Sequence, residues 1–195
     1  LRVNFLLSYL PYLVRPEIAD TLVIGLGTGM TSGHLAKFGR VTTVELEPRI
    51  VEASSHFNLF NVNVLENSNH TLILDDGRSY LLKNTKKYDL IVSEPTSTWQ
   101  SFSSQLYSKE FLEIVKSRLN EGGLFVKWVP IYSMSVEDFK NYYKTFNSAF
   151  PYTVAFANIK PDENTPVRFG ATQILLLGSK NKIRIDEEKF KENYD

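Results

Sequence analysis

Cysteine is absent from this sequence of 195 residues. Disulfide frameworks, thiolate zinc sites and thiol nucleophiles are thereby excluded, and the composition fits a reducing compartment. Histidine is scarce: His34, His56 and His70 show no metal-ligand spacing, so structural or surface roles are expected for each and no metal site is expected. Net charge is missing too, because 22 Lys and Arg balance 22 Asp and Glu. A nucleic-acid binder needs a basic footprint, so nucleic acid is not an expected partner, and Lys86-Lys87 reads as a solvated turn. No apolar run approaches the ~20 residues of a membrane span, and no secretory leader is visible. This segment is therefore expected to make no membrane contact and to work in the cytoplasm. The chain starts at Leu1 in mid-pattern and ends in charged residues, which suggests an excised domain whose full-length form carries a membrane part or a second domain.

Apolar residues are plentiful, at 43% of the chain. A domain of this length buries roughly 70% of its unfolded surface. Val3, Leu6, Leu7, Leu10 and Leu13 recur at helical spacing and stop before Pro16. After this lead-in helix (1–20) comes the main domain (21–180), and a charged tail (181–195) closes the chain. Within the domain, Thr21 to Gly25 reads as a buried strand and Met30 to Phe38 as a helix closed by Gly39. Val41 to Leu46 is the next strand. Pro48 opens a helix whose expected buried face is Ile50, Val51, Ala53 and Phe57. His70 to Leu74 and Tyr88 to Ser93 are strands, with a helix over Ser79 to Lys83 between them. Ser108 caps a helix running to about Leu119, with Gly122-Gly123 ending it, and Leu124 to Val129 is a strand. Ser135 caps an amphipathic helix with Val136, Phe139, Tyr143, Phe146 and Phe150 on one side, a core-packing stripe. Thr153 to Ala157 and Gln173 to Leu177 form a terminal antiparallel hairpin. The alternation predicts an α/β fold with a mostly parallel sheet, helices on both faces and an antiparallel end.

In such sheets ligands bind beyond the carboxyl ends of the strands, near the reversal of strand order. Four strand ends carry informative residues. Gly25-Leu26-Gly27-Thr28-Gly29 follows a strand and opens a helix, so the backbone can turn sharply and approach a ligand. Met30 stands where a dinucleotide fingerprint needs its last glycine, which favours a mononucleoside; a plain turn is the alternative. Glu45 ends the next strand, 20 residues after Gly25, where a carboxylate accepts from ribose hydroxyls; a surface acid is the alternative. Glu47 points the other way and ranks lower. After the third strand, Asp76, preferred over Asp75, is placed to accept from the exocyclic amine of adenine, with Gly77 leaving room for the ring; an ordinary Asp-Gly turn is the alternative. Glu94 follows the fourth strand, where a carboxylate in a partly dry cleft holds a cationic amine or takes its proton; a capping or locally paired acid is the alternative.

The stretches LLSYLPYL, VIGLGTG, VELEP, DDGRSYL, YDLIVSEP, LYSKEFLEIVKSRLNEGGLFV and ILLLGSK together resemble the spermidine synthase (aminopropyltransferase) family, from Leu7 to about Ser179. The Ser-Glu-Pro at Ser93-Glu94-Pro95 is similar to that of bacterial spermidine synthase-like domains, often attached to membrane segments. The resemblance implies a Rossmann-like S-adenosylmethionine-dependent methyltransferase fold. It implies a transferase that moves an aminopropyl group from decarboxylated S-adenosylmethionine to an amine such as putrescine, with methylthioadenosine as product and no metal. Gly25, Gly27, Thr28, Gly29, Glu45, Asp76 and Gly77 then bind the cofactor, with Glu45 on ribose and Asp76 on adenine. Glu94 stands at the catalytic acid position, Trp99 to Tyr107 forms a gate, and a homodimer is the expected assembly.

The chain departs from the family at several points. Thr28 replaces an acid of the glycine motif that recognises the amino group of a decarboxylated cofactor, Ser97 replaces the second acid of the catalytic pair, and Val3 stands in place of a tyrosine. A second tyrosine of the family, in the loop after Ala157, is not evident near Pro166, and the small N-terminal β domain is absent from these residues. A polyamine is multiply charged, and its pocket needs several carboxylates or aromatic faces. Neutral Thr28 motivates a second expectation, methyl transfer from intact S-adenosylmethionine. The thinned acidic pocket motivates a third, a non-catalytic adenosyl-nucleoside-binding module of a larger protein.

Overall fold

The computed structural model describes residues 2–94, 104–157 and 173–183. Its strands are β1 (Asp20–Ile24), β2 (Arg40–Glu45), β3 (His70–Leu74), β4 (Tyr88–Ser93), β5 (Leu119–Val129), β6 (Tyr152–Ala157) and β7 (Ile174–Ser179). They form one sheet in the order β3-β2-β1-β4-β5-β7-β6. The first five run parallel, and β7 lies antiparallel between β5 and β6. Strand order reverses between β1 and β4, which is where a ligand crevice is expected in an open sheet of this kind.

The helices are α1 (Arg2–Val14), α2 (Met30–Leu35), α3 (Pro48–Ser54), α4 (Asn58–Asn61), α5 (Gly77–Lys83), α6 (Lys109–Ser117) and α7 (Val136–Ala149). Side chains alternate along each strand, so the sheet carries two cores. On one face Leu7 and Leu10 of α1 and Leu35 of α2 pack on Val23, Leu90, Val92 and Val126. On the other, Phe111, Leu112 and Val115 of α6 and Tyr142, Phe146 and Ala149 of α7 pack on Ile24, Ile91, Phe125 and Leu176. Each fully buried Leu, Ile or Phe contributes roughly 1.5–3 kcal/mol, so both faces are strongly anchored.

The polar start signals act as expected. Ser108 accepts from the amide of Phe111 at 3.1 Å and Ser135 from that of Asp138 at 3.0 Å, and Pro48 sits in the first turn of α3. Four expectations fail. The helix opened by Met30 ends at Leu35, short of Phe38. The α6 helix stops at Ser117, and Gly122-Gly123 do not end it: they lie inside β5, where Gly122 has φ +68°. The pairing of β4 with β5 jumps from Tyr88 opposite Leu119 to Leu90 opposite Leu124, so the glycines absorb a register irregularity rather than a helix end. Along α3 the expected apolar face is not buried; Ile50, Ala53 and Phe57 are exposed, and Ser54 is the residue that is covered. This segment is fastened by polar groups: the Asn61 amide donates to the carbonyls of Ser54 at 2.8 Å and Thr28 at 3.0 Å. On α7 the stripe is rotated, because Val136 is 73% exposed while Tyr142 is buried. The first turn of a helix extends past the sheet it packs on, so periodicity alone overestimated the buried length.

Candidate functional site

Backbone hydrogen bonds carry the sheet ladder one residue past the strand ends. Gly25 N–H donates to the Val44 carbonyl at 2.9 Å, Asp75 N–H to that of Glu45 at 3.1 Å, and Glu94 N–H to that of Ile24 at 3.2 Å. Gly25, Glu45, Asp75 and Glu94 are thus held abreast on the rim of β3, β2, β1 and β4, at the switch point. Glu45 and Glu94, two of the expected acids, stand at this rim, and the third, Asp76, follows Asp75 directly in the chain.

The glycine turn requires glycine at each of its three positions. Gly25, Gly27 and Gly29 have φ of +94°, +54° and +81°. A side chain on Gly29 would meet Val64 at 2.8 Å, whereas nothing lies within 4 Å of the corresponding position on Gly27. The open flank of the turn is therefore at Gly27, which is exposed. Thr28 is half-buried, and its carbonyl accepts the Asn61 amide. Asn61 is fully buried, and it pins the turn from below.

Glu45 is buried. Its Oε2 accepts the Leu26 amide at 2.7 Å and its Oε1 the Glu47 amide at 2.9 Å. Each carboxylate oxygen keeps a second lone-pair site, enough for a pair of hydroxyl donors. This chelation of two backbone amides locks the acid beside the glycine turn. Asp76 caps α5, its Oδ1 accepting the Ser79 amide at 2.8 Å. Asp75 pairs with Lys83 at 3.1 Å. Gly77 serves differently from its expected role of leaving room for a ring: a side chain there would meet Ile24 at 2.5 Å, so its bare Cα lets α5 sit on β1.

Glu94 is partly exposed as a residue, but its carboxyl end lies under α1 and α2. Asn4 Nδ2 donates to Oε1 at 2.9 Å and Thr31 Oγ1 to Oε2 at 2.8 Å. Asn4 also donates to Thr31 at 3.2 Å, closing a triangle. Burial pushes the Glu94 carboxyl from its ordinary value up to about 7, outweighing the two donors that favour the charged form. The acid therefore stands poised between charged and neutral near neutral pH, the range in which a proton acceptor works best. Pro95, Ser97 and Trp99 to Ser103 lie outside the described residues.

Asn4, Thr31 and Asn61 were not singled out from sequence. Asn4 carried no visible signal, since it sits in an amphipathic helix and meets Glu94 only across 90 positions of chain. Asn61 is followed by Val62 and Asn63 at φ +58° and +50°, a tight bend that the Asn-Val-Asn run hints at. The histidines take local roles: His34 Nδ1 lies 3.0 Å from the Tyr9 hydroxyl and His70 Nε2 2.8 Å from that of Thr43, while His56 is exposed. Among the described residues no group of three His, Asp or Glu converges as metal ligands, and no helix is long and apolar enough to cross a membrane.

Comparison with known proteins follows the same lines. A family model described as the spermine/spermidine synthase domain matches residues 2–166. The polyamine aminopropyltransferase of Methanocaldococcus jannaschii is 30% identical over 96% of this chain and 64% of its own length, and that of Buchnera aphidicola 24% identical over 97% and 69%. The chain thus spans somewhat less than two thirds of the Methanocaldococcus relative. Among solved structures, a spermidine synthase in complex with the transition-state analogue AdoDATO superposes with a TM-score of 0.79 at 20% identity, over 96% of this chain and 62% of that one. A TehB-like S-adenosylmethionine-dependent methyltransferase from Corynebacterium glutamicum gives 0.60 at 18% identity, over 90% and 87%. These structural likenesses establish the Rossmann-like methyltransferase fold.

Proposed function

Because the chain belongs to the spermine/spermidine synthase domain family, we propose that it transfers an aminopropyl group from decarboxylated S-adenosylmethionine to an amine such as putrescine. One observation carries this reading: a carboxyl poised near neutrality, Glu94, stands one strand from the glycine turn and Glu45 at the switch point of the sheet. The donor supplies an activated carbon with its own leaving group, so the protein's task is orientation and proton handling. The open flank at Gly27 receives the nucleoside, the free lone pairs of Glu45 accept ribose hydroxyls, and Asp76 accepts from the base. Glu94, braced by Asn4 and Thr31, holds the acceptor amine and takes up its proton as the nitrogen–carbon bond forms and the carbon–sulfur bond breaks. The deprotonated carboxylate is the working form, so turnover rises as pH passes upward through about 7. A cysteine-free chain needs no oxidising compartment, which supports action in the cytoplasm.

Calorimetry with methylthioadenosine, followed by turnover with putrescine, tests the reading. For Glu94→Gln we expect transfer lowered at least about a hundredfold with nucleoside affinity retained; unchanged turnover removes Glu94 from the mechanism. Failure of the wild type to bind any adenosyl nucleoside removes the site itself. Neutral Thr28 favours a second reading, methyl transfer, since no acid there opposes the carboxylate of intact S-adenosylmethionine. Tighter binding of the decarboxylated form counts against it. Nucleoside binding without turnover on any amine would leave a non-catalytic adenosyl-nucleoside-binding module.

A further inference from the structure

Lys127 is fully buried in β5, an unusual place for a lysine. It sits directly opposite Ser93 in the β4–β5 register, one residue from Glu94. Its Nζ donates to Ser93 Oγ at 3.1 Å and lies 4.0 Å from the centroid of the Tyr107 ring. Among the described residues no carboxylate pairs with it. Tyr107 packs edge-on against Tyr142, with ring centroids 4.9 Å apart, and both hydroxyls are buried without a hydrogen-bond partner among the described residues. Among the described residues Tyr107 is thus held through its ring.

The two contacts of the amine bracket one connection. Ser93 is the last residue of β4, and Tyr107 closes the 3-10 turn Gln105–Tyr107 that leads into α6. We propose that Lys127 is a positioning residue whose buried amine fastens the end of β4 beside Glu94 to the turn carrying Tyr107, and so fixes where Glu94 stands relative to an acceptor. Sequence proximity does not supply this tie, because the anchor comes from a third element, β5. Packing alone does not require an amine there either, since a methionine fills the same length without the cost of burying a polar group. The cation-binding face of Tyr107 and the Ser93 oxygen give the amine two partners that a methionine would lack. Burial pushes the Lys127 amine well below its ordinary value, opposing the charged form that the Tyr107 face and the Ser93 oxygen favour.

The role of Glu94 in this inference rests on the proposed function; the tether itself does not, and two readouts separate them. In Lys127→Met, amide hydrogen exchange at Ser93, Glu94 and Gln105 to Tyr107 should rise about tenfold or more, while β1 to β3 stay protected. In the same variant kcat should fall about tenfold with methylthioadenosine affinity unchanged. Lys127→Gln keeps a donor for Ser93 and should restore protection at Ser93 and Glu94 but not at Tyr107. Should Lys127→Met fail to fold, Ser93→Ala and Tyr107→Leu test each end separately, each raising exchange at its own end. Unchanged exchange at both ends, or a uniform loss of protection across the sheet, overturns the tether. Raised exchange in Lys127→Met, together with no transferase turnover in the wild type, leaves the tether standing and removes the proposed function.

Discussion

At the carboxyl rim of the sheet the two faces handle polar groups in opposite ways. On the α1/α2 face the polar groups beside the glycine turn have partners: Glu94 holds Asn4 and Thr31, Glu45 holds two backbone amides, and Asn61 donates to two carbonyls, while the Tyr12 hydroxyl, farther along α1, is buried without a partner among the described residues. On the α6/α7 face the Lys127 amine has a single hydrogen bond, and the hydroxyls of Tyr107 and Tyr142 have none among the described residues. Strand alternation produces the difference. Ser93 and Glu94 are neighbours, yet they point to opposite faces, one into the tyrosine cluster and the other under α1 and α2. The first face reads as a binding surface built to stay put. The second carries polar groups that cost stability.

Four measurements sharpen or break that contrast. The largest effect is expected for Asn61→Ala, which strands two carbonyls and frees the glycine turn, at a cost of roughly 2–4 kcal/mol. Urea unfolding checks it, and a cost under about 0.5 kcal/mol would show that Asn61 does not fasten the turn. Next comes the pH dependence of Glu94. Its folded value of about 7 lies above its ordinary 4.5, so between those values the folded state binds more protons than the unfolded one. Stability from this group is full below about 4.5 and is lost as pH rises through about 7, by on the order of 2 kcal/mol. Melting curves of wild type and Glu94→Gln across pH 4 to 8 should diverge in that sense; parallel curves would place the carboxyl in water.

Thr31→Val is smaller. Removing one donor should cost about 1 kcal/mol at pH 8, where Glu94 is charged, and less at pH 5. It should also move the pH–rate profile upward. Smallest, and opposite in sign, is Tyr142→Phe on the other face. It deletes a buried hydroxyl that has no partner among the described residues, so thermal stability should hold or rise by up to about 1 kcal/mol. A clear loss would mean that this hydroxyl is satisfied after all, and the contrast between the faces would fail.

The fold was largely legible because its signals are local. The centres of the strands, Leu22 to Ile24 and Leu90 to Val92, are continuously apolar, as buried parallel strands favour, and Ser108, Ser135 and Pro48 mark helix starts by short-range hydrogen bonds and fixed φ. Errors arose where local grammar has two meanings. A Gly-Gly pair ends helices, but Gly122-Gly123 accommodate a register jump against β4. Gly77 reads as space for a ligand, but Ile24 takes that space. Apolar periodicity on α3 reads as core, but that helix is held through Ser54 and Asn61.

Sequence alone determined which residues reach the strand ends. The positive φ demanded at Gly25, Gly27 and Gly29 and the chain distance to Glu45 depend only on neighbours along the chain. Tertiary structure decided what each polar group meets there. Asn4 and Glu94, or Lys127 and Tyr107, come together because separate strands and helices pack on a chosen face, and a hydrogen bond or cation–ring contact across that packing leaves no trace in linear spacing.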